Sequence, residues 1–96
     1  MAEVVWSPQS IQDLESIGSF IAHDSPDYAV LTVQRLIAAV DRLASFPSSG
    51  RVVPEFADPV VREVLWRNYR IVYRLTGSEV EIVTVFHGAL PLGELD

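Results

Sequence analysis

Residues 69 to 74 read YRIVYR, and the stretch alternates in character: Tyr69, Ile71 and Tyr73 are aromatic or apolar, whereas Arg70 and Arg74 are charged. Successive side chains of a strand point to opposite faces, so the first set is expected under a covering layer and the second on the other side of a sheet. Similar β-rich runs lie on both sides, giving strands at about 60–66, 69–75 and 79–87. Arg67-Asn68 and Gly77-Ser78 between them are short enough for two-residue hairpin turns. The three runs therefore predict an antiparallel meander.

Upstream, the pattern changes period. Glu3 to Trp6 forms a short β-rich run, and Ser7-Pro8 supplies a cap and a first-turn proline for a helix. Ile11, Leu14, Ile17 and Ile21 then recur at helical spacing to about Ala22, with Gln12, Asp13, Glu15 and Ser16 largely opposite. Ser25-Pro26 repeats the start signal, and a second helix is expected from Pro26 to about Ser45. Its buried face would carry Ala29, Val33, Leu36, Ile37, Val40, Leu43 and Ala44. The helical hairpin thus spans about 8–45 and ends at FPSSGR, residues 46–51, where Pro47 and Gly50 resist continuation. The expected architecture is α+β: strands at 3–6, 60–66, 69–75 and 79–87, with the helical hairpin on one sheet face.

A 96-residue chain that is 49% hydrophobic and 21% charged is expected to form one globular domain over residues 1–96. So small a domain buries only about 60–70% of its unfolded surface, which favours a protein completed by a partner. There is no cysteine, no basic leader and no apolar run of membrane-spanning length, so a cytoplasmic location without membrane attachment is expected. The net charge of −6 argues against broad phosphate binding, although residues 51–74 sum to +2 while both flanks sum to −4.

With Gly77-Ser78 as a two-residue turn, Arg74 should face Glu81, Val72 should face Val83, and Arg70 should face Val85, with His87 diagonal to Arg70. With Arg67-Asn68 as the other turn, Leu65 faces Arg70 and Glu63 faces Val72. The uncovered face would then hold Glu63, Arg70, Arg74, Glu81 and His87. Such a set can be a site in which Arg70 holds an anion and His87 exchanges a proton. It can equally be a group of cross-strand ion pairs on a solvated sheet. His23 reads as a turn residue. Neither a metal-ligand cluster nor a glycine-rich phosphate loop is present, so no metal or cofactor is expected. Trp66 and Tyr69 read as packing aromatics rather than base-stacking platforms.

WSPQSIQDLESIGSFIAHDSP, RLIAAVDRLASFPSSGRVVPE, VREVLWRNYRIVYR and VEIVTVFHG together resemble the RelE/ParE toxin superfamily over about residues 3–88. The resemblance implies a compact toxin neutralised by a cognate antitoxin. Two targets occur in that superfamily. In members that cleave messenger RNA on the ribosome, matching positions would make Glu55 the base, Arg70 the phosphate binder and His87 the acid, with Arg51, Arg62 and Arg74 as further anion or target contacts. ParE-type members instead inhibit DNA gyrase without nuclease chemistry. The long second helix, the FPSSGR turn and a tail reading GALPL after His87 favour the ParE side. An endoribonuclease and a non-toxic, partner-binding member are the alternatives.

Overall fold

The structure is a computed structural model that describes residues 1–88. Its elements are β1 (Glu3–Trp6), α1 (Pro8–Ala22), α2 (Pro26–Ala38), β2 (Arg51–Val52), β3 (Val61–Trp66), β4 (Tyr69–Thr76) and β5 (Glu79–His87). The five strands lie in the order β1-β5-β4-β3-β2, with β1 parallel to β5 and the remaining pairs antiparallel. Two helices cover one sheet face, as the α+β reading expects. The short strand β2, formed by the residues just after Gly50, adds an edge beyond the four strands that the sequence pattern predicts.

Both helix starts follow their caps. The Ser7 hydroxyl accepts from the Ser10 N–H at 3.1 Å, and that of Ser25 accepts from the Tyr28 N–H at 3.3 Å. The second helix is shorter than the Pro26–Ser45 expectation: it ends at Ala38 and is followed by a 3₁₀ turn, Asp41–Ala44. A 3₁₀ turn eclipses residues three apart, which stacks Val40 over Leu43, and both are buried. Ile37, expected on the buried face, is instead exposed.

The main core lies between the helices and the sheet. Leu14, Leu36, Val40 and Leu43 pack against Val64, Ile71, Tyr73, Val80, Ile82 and Val85. Both hairpin turns close with two residues, since Trp66 faces Tyr69 and Thr76 faces Glu79. Arg67 and Gly77, each first in its turn, have positive φ of 52° and 58°.

Two features of the sheet correct the expected picture. The β4–β5 register shifts at Val72/Tyr73, so Tyr73 faces Ile82 but Val72 faces Thr84, which makes Val83 the extra residue of a bulge. Arg70 consequently faces Phe86 rather than Val85, and His87 faces Tyr69 on the helix side rather than lying diagonal to Arg70. The bulge is held from the start of α1. The Ser7 hydroxyl donates to the Val83 carbonyl at 2.9 Å, and one Asp13 carboxylate oxygen accepts from the Val85 N–H at 3.0 Å and from the Thr84 hydroxyl at 2.5 Å. Asp13 thus satisfies backbone that the bulge removes from the ladder, a role quite unlike that of a solvent-facing helix residue.

The second correction concerns the face opposite the helices. It is not left open, because the segment after β2 folds across it. Val53, Val72 and Phe86 are buried there, with Val61 packed against them.

Candidate functional site

The covered face carries a chain of alternating charges built from three strands and one loop. Glu63 sits in the middle of β3, opposite Val72 on one side and Arg51 on the other. An ionised side chain in that position must be paired to be tolerated. Its Oε1 accepts from Arg70 Nε at 2.6 Å and its Oε2 from Arg51 Nε at 2.6 Å, while the Glu63 side chain itself is fully buried. Arg70 then turns its two terminal nitrogens to Glu55, at 2.7 and 2.8 Å. This is a bidentate guanidinium–carboxylate fork, the stronger geometry for such a pair. Phe86 lies under the guanidinium, 5.4 Å from ring centroid to Arg70 Cζ.

The four side chains sum to zero charge. Glu55 and then Glu63 hold Arg70 protonated well above its ordinary range. In return, the Arg70 hydrogen bonds, assisted by the backbone N–H of Glu55, lower the Glu55 carboxyl from 4.5 to about 2 against a small opposing effect of burial. A carboxylate with so acidic a conjugate acid is a weak proton acceptor at neutral pH. Because the folded value is depressed, the latch is fully formed above the ordinary carboxylate range and is lost as pH falls through about 2. The Glu55 carboxyl carbon should therefore titrate by NMR with a midpoint near 2. A midpoint near 4.5 would mean that the fork is not populated in solution.

The sequence-derived residues fall into separate places. Glu55 and Arg70 are in direct contact, and Arg51 joins them through Glu63. His87 reaches the same end of the sheet from the helix side, edge-on to Tyr69 at 5.7 Å between ring centroids. Arg51, Arg70 and His87 all border a shallow cleft of about 450 Å³ at the strand ends. Arg62 is engaged elsewhere, donating to the carbonyls of Ser48, Gly50 and Pro59, and Arg74 makes an exposed 3.3 Å contact with Glu81. No group of three or more metal-ligating side chains occurs among the described residues. The GALPL segment after His87 lies, apart from Gly88, outside those residues.

The FPSSGR turn is tied to the same strands. The Tyr73 hydroxyl donates to the Pro47 carbonyl at 2.7 Å and accepts from the Gly50 N–H at 3.0 Å, and burial pushes its phenol pKa up. This fixes the point where β2 begins and hence the position of Arg51. Residues 4–90 match the family model described as the ParE toxin of the type II toxin–antitoxin system parDE. The chain belongs to that family.

Two named proteins are similar in sequence to this ParE-family chain. It is 37% identical over 84 residues to a protein of Sinorhizobium fredii named Y4kP, covering 85% of this chain and 83% of that one. It is also 37% identical over 90 residues to toxin RelE2 of Caulobacter vibrioides, covering 93% and 98%. Its fold is similar to a chain of the chromosomal ParDE system from P. aeruginosa, with a TM-score of 0.76 at 24% identity over 91% of this chain and 96% of that one. The chain is thus a type II toxin–antitoxin toxin of the ParE/RelE kind.

Sequence reasoning missed Asp13 and Ser7 as the residues that hold the bulge. It placed Glu63 correctly opposite Val72 and as a cross-strand ion-pair partner of Arg70 or Arg74, but on a solvated face, whereas the pair with Arg70 is buried. A carboxylate in the apolar run VREVLW was the available signal, since burial there demands a cationic partner.

Proposed function

We propose that this ParE-family chain inhibits DNA gyrase through a protein surface, acts in the cytoplasm and is neutralised by a cognate antitoxin. The observation that carries this reading is the closed state of Arg70. Its guanidinium is taken up by two carboxylates of its own chain, so the residue that would hold a scissile phosphate has no unpaired edge to offer. His87 approaches from the other face, and Glu55 is held in its least basic state. The net charge of −6 also suits a protein target better than a polyphosphate one.

An antitoxin fits the helical hairpin. Ile11, Phe20, Val30, Leu31 and Ile37 are exposed on its two helices, and an apolar cleft of about 740 Å³ runs between them. Apolar surface of this kind marks an interaction face.

Induced expression without the neighbouring gene should arrest growth, and the purified protein should reduce gyrase supercoiling of relaxed plasmid. Glu55→Gln and His87→Gln should retain both effects. If these variants lose toxicity together with site-specific messenger RNA cleavage, the endoribonuclease reading replaces this one. Harmless expression of a folded, partner-binding protein would leave neither poison model standing.

A further inference from the structure

Seven arginines are present, and the guanidinium groups of five of them are engaged by acceptors of their own chain. Arg51, Arg70 and Arg74 pair with carboxylates, Arg62 binds loop carbonyls, and Arg42 donates to the Ser49 hydroxyl at 3.1 Å. Among the described residues only the guanidinium groups of Arg35 and Arg67 make no hydrogen bond or ion pair. Both border the same cleft, a space of about 190 Å³ between α2 and the β3–β4 turn.

The remaining walls are Tyr28, Leu31, Thr32 and Trp66, and no acidic residue lines the cleft. Arg67 lies over the Trp66 ring, 5.0 Å from its centroid, which orients the guanidinium while leaving its N–H edge without an acceptor. Thr32 is 1% exposed, and its hydroxyl has no hydrogen-bond partner among the described residues. A helical threonine ordinarily returns its hydroxyl to a carbonyl of the preceding turn, and a buried polar group without a partner is costly. Thr32 borders the cleft with both arginines, and its buried hydroxyl, like their guanidinium groups, lacks an acceptor among the described residues.

We propose that this cleft is a carboxylate-binding site that receives an acidic side chain of a protein partner, with the neighbouring apolar residue of that partner seated against Leu31 and Trp66. Planar guanidinium donors match carboxylate oxygens in pairs, and the cleft accommodates one such group rather than a polymer backbone. A single-stranded nucleic acid could stack on Trp66 and Tyr28, but it would have to bring many phosphates to a chain of net charge −6. A peptide carboxylate brings only one negative charge. Arg67 also borders the neighbouring cleft beside Arg70, but the site uses none of the Arg70 ion pairs and does not depend on gyrase being the target.

The probe is the capped dipeptide N-acetyl-glutamyl-leucine amide, titrated into the isotope-labelled protein and followed by NMR. Saturable shifts are expected at the Trp66 indole N–H, the Arg67 side chain and Thr32. The glutaminyl analogue should bind about tenfold more weakly, as loss of a charge-assisted hydrogen bond requires. Arg35→Gln with Arg67→Gln alters only exposed positions, so it should fold as the parent does and lose the shifts. Thr32→Val should melt no lower than the parent yet weaken the probe, an outcome that a purely structural threonine would not give. Equal binding of the two dipeptides, absence of shifts at these residues, or unchanged binding in the double variant would overturn the proposal. So would oligouridylate moving the same resonances at lower concentration than the acidic dipeptide, which would assign the cleft to nucleic acid.

Discussion

Gly50→Ala is expected to destabilise the protein by about 3 kcal/mol, a large part of the roughly 5–15 kcal/mol that holds a domain of this kind. A methyl group at position 50 would sit 2.6 Å from the Tyr73 hydroxyl and 2.7 Å from the Glu63 carbonyl oxygen. Neither neighbour can yield easily. Tyr73 is fully buried and bound at its hydroxyl to both Pro47 and Gly50, and the Glu63 carbonyl belongs to the sheet. Relief would have to come from moving the FPSSGR turn, which would break the Tyr73 bonds and displace β2. Each kcal/mol lowers Tm by roughly 4–8 °C in a domain this small, so thermal melting reads the effect directly. Gly18→Ala is the matched control. Its added carbon meets only a side-chain methyl of Val33, at 3.3 Å, which must give by a few tenths of an ångström, and the roughly 0.5–1 kcal/mol that alanine gains over glycine in a helix interior offsets that cost. Equal melting of the two variants would refute the close-approach account of Gly50.

Gly50 illustrates what the sequence could and could not reveal. That FPSSGR breaks the chain follows from Pro47 and Gly50 alone. That Gly50 must also admit the tip of Tyr73 depends on a residue 23 positions away, and no local rule reports it. The helix starts, the two hairpin turns and the inward set Tyr69, Ile71 and Tyr73 were legible because each rests on spacing or capping within one segment. The bulge at Val83 was not. VTVFH carries no glycine or proline to mark an inserted residue, and its acceptors and donors lie on Ser7 and Asp13, more than 70 residues earlier. One unsignalled residue in a strand moves every later side chain to the other face. That single step separates His87 from Arg70 and puts Phe86 in its place.

The charged residues show the same division. Glu63 opposite Val72 was readable from the turn length, and Arg74 opposite Glu81 likewise. Glu55 was placed by family resemblance and not by spacing, because residues 53–60 follow no periodic pattern. Their path is set by tertiary contacts, namely Val53 with Val72 and Phe86 below and Arg70 bound to Glu55 above. The positive φ of 51° at Ala57 belongs to that path and has no local sequence signal such as glycine.

Glu63→Leu should be the most damaging single exchange in the charged network, with an expected loss of about 3–5 kcal/mol, because it strands a buried guanidinium. Arg70 would keep its fork to Glu55 but leave Nε without an acceptor in a side chain that is only 11% exposed. Arg51 would suffer less, since its side chain is 55% exposed and water can replace the lost carboxylate. Arg74→Ala provides the scale. It removes an exposed 3.3 Å pair with Glu81, and such pairs contribute about 0–1 kcal/mol. The double variant Glu63→Leu with Arg70→Met separates burial cost from packing. Replacing both charges by apolar groups removes the stranded donor, and the partners left behind, Arg51 and Glu55, are both solvent-accessible. Urea denaturation should therefore show the double variant recovering most of the stability that Glu63→Leu loses. If the double variant is as unstable as the single one, the Glu63 site fails for want of shape rather than charge. If Glu63→Leu itself unfolds no more readily than Arg74→Ala, the buried pair does not hold the loop over the sheet. The closed state of Arg70 would then be one of several conformations, and its edge would be available to an incoming phosphate.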